Sequence, residues 1–136
     1  IYTNGDTVSA GVTPGDTGVI LSTGYVSDFT NNSGTTDTNI SPSTGTNTSG
    51  PGGDPDFEAL AGRRTFDAAF LEATFTPVGD FITVDFVIAS DEYPEFVNSD
   101  FLDTVGVWVN GVQASVSIGN GEASIGNINS STAPNL

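Results

Sequence analysis

Apolar positions come in short bursts along this chain, separated by turn-forming residues, and almost nowhere at the spacing of an amphipathic helix. Residues 1–28 alternate small apolar stretches with Gly, Pro and Asp, and Val19, Ile20 and Leu21 predict a buried strand entering a turn at Ser22, Thr23 and Gly24. Residues 30–56 are Asn, Ser, Thr, Gly and Pro with Ile40 as almost the only apolar side chain, which predicts a long polar surface loop. Asp54, Pro55 and a short apolar run closed by Gly62 predict one brief helix with an acidic N-cap and a glycine stop.

Beyond Phe66 the period changes to two. Ala69, Leu71, Ala73 and Phe75 alternate with Phe70, Glu72, Thr74 and Thr76, and Phe81, Thr83 and Asp85 alternate with Ile82, Val84 and Phe86. With Val78, Gly79 and Asp80 between them, these runs predict a β-hairpin or an adjacent strand pair. A second hairpin is predicted around Asn110-Gly111, between an apolar run at 105–109 and another at 112–118. The Asn-, Ser- and Gly-rich tail from 119 to 136 carries Ile125 and Ile128 and predicts one further short strand. The expected fold is all-β: a jelly-roll-like β-sandwich of antiparallel strands with one short helix and long surface loops, in a single domain over 1–136.

Composition narrows the chemistry. Seventeen acidic residues face only Arg63 and Arg64, a formal net charge of −15. Nucleic acid and anionic membranes repel such a surface, and the partner it attracts is a cation. Cys and His are both absent, which removes disulfides, thiolate nucleophiles, most zinc and copper sites, and Ser-His or Cys-His catalysis. No apolar run approaches the roughly 20 residues of a membrane span. The sequence opens on Ile1 rather than Met, as expected of a processed or excerpted piece.

The oxygen donors concentrate in one place. Asp91, Glu92, Glu95, Asp100 and Asp103 crowd the acidic stretch 90–103, with the amide of Asn98 and the hydroxyls of Ser90 and Ser99 beside them. Pro94 stiffens this stretch, and Tyr93, Phe96 and Phe101 can pin it to a sheet, so its carboxylates repel one another unless a divalent cation sits among them. Ca2+ fits, since it takes six to eight oxygens at flexible angles, whereas Mg2+ prefers few protein ligands. The plainer alternative is a solvated acidic face with no ion. The spacing is not that of an EF-hand.

Other readings are weaker. Gly53-Asp54-Pro55 contains an acid-labile Asp-Pro bond, but a helix start explains the same residues without new chemistry. Glu92 and Glu95 could in principle serve a glycosidase, yet no sugar cleft is marked, and Trp108 falls in an alternating run where a core position is expected. Arg63 and Arg64 are expected to meet helix carbonyls or an acidic cluster.

Four blocks in order carry a family resemblance: Gly18-Val-Ile-Leu-Ser-Thr-Gly, Asp54-Pro-Asp-Phe-Glu-Ala-Leu-Ala-Gly, Asp67-Ala-Ala-Phe-Leu-Glu-Ala-Thr-Phe-Thr-Pro, and Phe86-Val-Ile-Ala-Ser-Asp-Glu-Tyr-Pro-Glu-Phe-Val-Asn-Ser-Asp-Phe-Leu-Asp-Thr-Val-Gly-Val. Together they resemble the N-terminal and central part of the choice-of-anchor L domain. The resemblance implies an extracellular bacterial β-sandwich, secreted or attached to the cell surface, with no known catalytic activity. It carries Asp91, Glu92, Glu95 and Asp103 over as metal-ligand candidates, and Asp54, Asp56 and Asp67 as members of a weaker second acidic cluster. It also implies further strands past residue 136, so the sandwich is expected to be completed by strands from another chain.

Three functions follow as expectations. The first is a calcium-binding structural or adhesive module, not an enzyme. The second is a subunit of an extracellular filament, self-associating by strand exchange with a neighbouring protomer. The third is a calcium-dependent adhesin domain that binds peptide or glycan.

Overall fold

The computed structural model describes residues 1–26, 47–90, 92–94, 96–116 and 123–131. The chain divides into two compact units, Ile1–Pro51 with Asp67–Val87, and Gly52–Phe66 with Ile88–Leu136.

In the first unit a turn of helix, α1 (Gly5–Val8), follows Asn4, whose φ of 62° lies in the left-handed region that Asn tolerates better than most residues. The Asn4 carbonyl accepts from the Thr7 and Val8 amides. An isolated antiparallel bridge joins Tyr2 to Gly18, and the Tyr2 hydroxyl donates to the Gly15 carbonyl at 3.1 Å. Any side chain on Gly18 would run into the Tyr2 ring, which is why a glycine stands there. Asp67, at φ 51°, accepts the Gly50 amide at 2.8 Å and the Thr48 hydroxyl at 3.3 Å, and the Ala68 amide donates to the Pro51 carbonyl at 2.9 Å.

Two expectations for this unit are corrected. Val19, Ile20 and Leu21 are exposed and form no strand, since none of the described residues covers them with apolar surface. The runs at 69–76 and 81–86 form no ladder among the described residues, and no backbone hydrogen bond holds 69–87. Alternation in a sequence specifies a strand's two faces, but pairing requires a neighbour in register.

The second unit holds the rest of the regular structure. Helix α2 (Pro55–Ala61) begins as predicted: the Asp54 side chain accepts from the Asp56 and Phe57 amides at 3.0 and 3.2 Å, and Gly62 closes it at φ 66°. The last two residues assigned to the polar loop, Pro55 and Asp56, therefore belong to the helix, while 27–46 lie outside the described residues. Asp54→Ala is expected to cost about 1 kcal/mol through two orphaned amides, read as a lower denaturant midpoint at unchanged slope.

Two small antiparallel sheets complete the unit. β1 (Thr104–Val105) pairs with β4 (Ala123–Ser124), placing Thr104 opposite Ser124 and Val105 opposite Ala123. β2 (Trp108–Val109) pairs with β3 (Val112–Gln113) across Asn110 and Gly111, at φ 52° and 76°. Positive φ at both central residues is the turn that Asn-Gly favours, so this hairpin forms where expected. The expected single run at 105–109 breaks at Gly106, where an added Cβ would collide with the Trp108 ring and with Leu60.

α2 packs against β1. Leu60 of α2 is 6 % exposed, and Phe57 meets Trp108 of β2 edge to face at 5.2 Å, so Trp108 takes a half-buried packing role. Ala123 and Ile125 are buried as well, with Ile125 at 0 % exposure. The described residues are thus mostly non-helical, with a few antiparallel strands in two small sheets.

Candidate functional site

The acidic stretch 90–103 lies in the second unit and is held by polar contacts at both ends. The Ser90 hydroxyl donates to the Asp103 carboxylate and accepts the Glu92 amide at 3.0 Å, so one hydroxyl ties the start of the stretch to its end. Two tight turns follow: the Phe96 amide donates to the Glu92 carbonyl, and the Ser99 amide to the Phe96 carbonyl, each at 2.9 Å. The Phe101 amide then donates to the Ser99 hydroxyl at 3.0 Å. Phe96 and Phe101 meet edge to face at 5.6 Å but stay exposed, so they brace the loop rather than bury it. The Tyr93-Pro94 peptide is cis.

The tail forms the other wall. The Tyr93 hydroxyl donates to the Ile128 carbonyl, and the Ile125 amide donates to the Asp103 carbonyl at 3.2 Å. The tail segment itself is wound by Asn127, whose side chain accepts the Ser124 amide at 2.9 Å, and by Asn129, which donates to the Ile125 carbonyl at 2.9 Å. These Asn residues gave no signal in the chain pattern beyond a three-residue Ser-to-Asn spacing suited to a side-chain-capped turn.

The candidate ligands are distributed as follows. Asp103 is half-buried and anchored by Ser90, and the half-buried Glu92 follows two residues after that hydroxyl. Asp100 faces Arg63, whose guanidinium donates to its carboxylate at 2.7 Å and to its carbonyl at 2.9 Å. That ion pair is the expected role for Arg63, and its exposure limits it to about 1 kcal/mol or less. Asn98 is exposed, and Asp91 and Glu95 lie outside the described residues. Arg64 covers the Phe66 ring at 5.1 Å.

Of the weaker cluster, Asp54 caps α2, Asp56 sits in its first turn, and Asp67 staples the first unit. Among the described residues no group of three or more acidic side chains comes together.

Burial, and next the negative charge of Asp103, raise the Tyr93 phenol above its ordinary value of 10. Both causes favour the neutral phenol, so its contribution to stability is complete below pH 10 and is lost as pH rises through the elevated folded value. In an absorbance titration, the Tyr93 phenol is expected to ionise above its ordinary value of 10, and Tyr93→Phe to abolish that late step. Asp103→Asn should bring it part of the way back, since burial is the larger cause.

Comparison with known proteins places the chain in a family. The model of the Choice-of-anchor L domain matches residues 6–135. No curated protein and no solved structure matches the chain. Among the described residues, no helix is long and apolar enough to cross a membrane.

Proposed function

The chain belongs to the choice-of-anchor L domain family, an extracellular, surface-associated type of bacterial module, and from that premise we propose a calcium-stabilised structural and adhesive unit. The observation that carries the calcium reading is the Ser90 hydroxyl bound to the Asp103 carboxylate with the Glu92 amide on the same oxygen. It holds a half-buried carboxylate at the base of a loop that also bears Asp91, Glu92, Glu95 and Asp100. Calcium is the cation suited to such a set, because carboxylates, amide carbonyls such as that of Asn98 and backbone carbonyls all ligate it. Its role is to remove mutual repulsion and stiffen a surface used for assembly or adhesion, with no bond made or broken.

Calorimetric titration with CaCl2 tests this. Saturable binding is expected, weakened at least about tenfold, or about 1.4 kcal/mol, in Asp103→Asn and Glu92→Gln. No heat above dilution, or variants that bind like the parent, would reduce the loop to a solvated acidic face.

A second reading is favoured by the first unit. Residues 69–87 expose Phe70, Leu71, Phe75, Phe81, Ile82, Val84 and Val87 and make no backbone hydrogen bond among the described residues, as befits a subunit completed by a strand from another chain. Size analysis separates its two forms: subunits that exchange strands with one another run well above 13.9 kDa, whereas a chain that takes its strand from a different protein runs near that mass with 69–87 still open to exchange.

A further inference from the structure

Residues 81–87 read Phe-Ile-Thr-Val-Asp-Phe-Val, a β-prone run with neither Pro nor Gly. Phe81 is 84 % and Val84 57 % exposed, and Phe70, Leu71, Phe75, Ile82 and Val87 are exposed as well. Among the described residues, no backbone N–H or C=O group of 69–87 is hydrogen-bonded. A segment with open amides, open carbonyls and apolar side chains on both faces is a template for one more strand.

Charge selects the occupant. Arg63 and Arg64 both lie in the second unit, so the first unit has no Lys or Arg at all. Its described acids include Asp67, Glu72, Asp80 and Asp85, of which Asp80 precedes the open run and Asp85 lies within it. A second copy would bring its own charge of −15 to this surface, whereas a strand bearing Lys or Arg between β-branched residues meets Asp80 and Asp85 with opposite sign. Resting on the strand-completion reading, the geometry points to residues 81–87 as the docking edge for an extended, basic, β-branched strand of a different protein, bound by strand addition.

The experiment is hydrogen exchange read by mass spectrometry on the full chain, alone and with three synthetic peptides of roughly nine residues, the length of a long strand. One alternates Val and Thr with Lys, one replaces Lys by Glu, and one keeps Lys but places Pro at alternate positions so that no ladder can form. Fast exchange of 81–87 in the chain alone is expected, slowed about tenfold or more by the Lys peptide only. Val84→Pro in the chain should abolish that slowing without altering exchange at 104–113.

Slow exchange of 81–87 in the chain alone, at a monomer's size, would overturn both this inference and strand completion. Slow exchange together with self-association would overturn the basic partner while leaving strand completion standing, as would equal protection by the Glu peptide. Equal protection by the Pro peptide would reduce the effect to charge alone and overturn strand addition.

Discussion

Replacing Ile125 by Ala is expected to lower stability by about 3 kcal/mol, the largest effect of any single substitution proposed for this chain. Ile125 is fully buried, its amide donates to the Asp103 carbonyl at 3.2 Å, and its carbonyl accepts from the Asn129 amide at 2.9 Å. Truncation removes apolar burial and leaves a cavity between neighbours whose backbones these bonds hold in place. Because the Ile125 amide holds the Asp103 carbonyl, the variant should also bind Ca2+ more weakly. Val112→Ala, at an exposed hairpin position, is the control and should change stability by no more than about 0.5 kcal/mol. Equilibrium denaturation of both variants checks the pair, and equal midpoints would mean that the tail is not part of the core.

Calcium withdrawal is expected to be the next largest effect. A ligand that binds only the folded state stabilises it by about 2.7 kcal/mol at a free concentration a hundredfold above its dissociation constant. At roughly 4 °C per kcal/mol for a chain of this size, chelation should lower Tm by about 10 °C. The loss should be graded with free calcium rather than abrupt, and should nearly vanish in a chain carrying both Asp103→Asn and Glu92→Gln. Raised salt alone would offset only part of it, because screening acts on exposed charges more than on a half-buried carboxylate. A chelator-insensitive melt would leave the acidic stretch without a structural ion.

Features fixed by a few neighbouring residues were legible in the sequence. Asp54 with Pro55 and Gly62 marks α2 because the cap, the first-turn proline and the left-handed stop are all local chemistry. Asn110-Gly111 marks the β2–β3 turn because few other pairs tolerate positive φ twice in succession. Features that depend on distant partners were not. The alternation at 69–86 predicts strands correctly only if a neighbour supplies the ladder, and none of the described residues does.

Ile125 looks incidental in an Asn-, Ser- and Gly-rich tail, yet it becomes a core residue because Asn127 and Asn129 wind that tail under Asp103. α1 escaped notice because it rests on the left-handed Asn4 backbone, with no capping side chain to announce it. In the acidic stretch, composition displayed the carboxylates but not the division of labour in which Ser90 holds Asp103 while Arg63 takes Asp100.

The most direct test of the calcium-stabilised module is a site-resolved one: amide chemical shifts of the labelled chain followed through a titration with CaCl2. Saturable shifts centred on the amides of 90–103 and on Ile125, with little change at Asn110 and Gly111, are the predicted result. Uniform small shifts that never saturate, or none at all in that stretch, would contradict it.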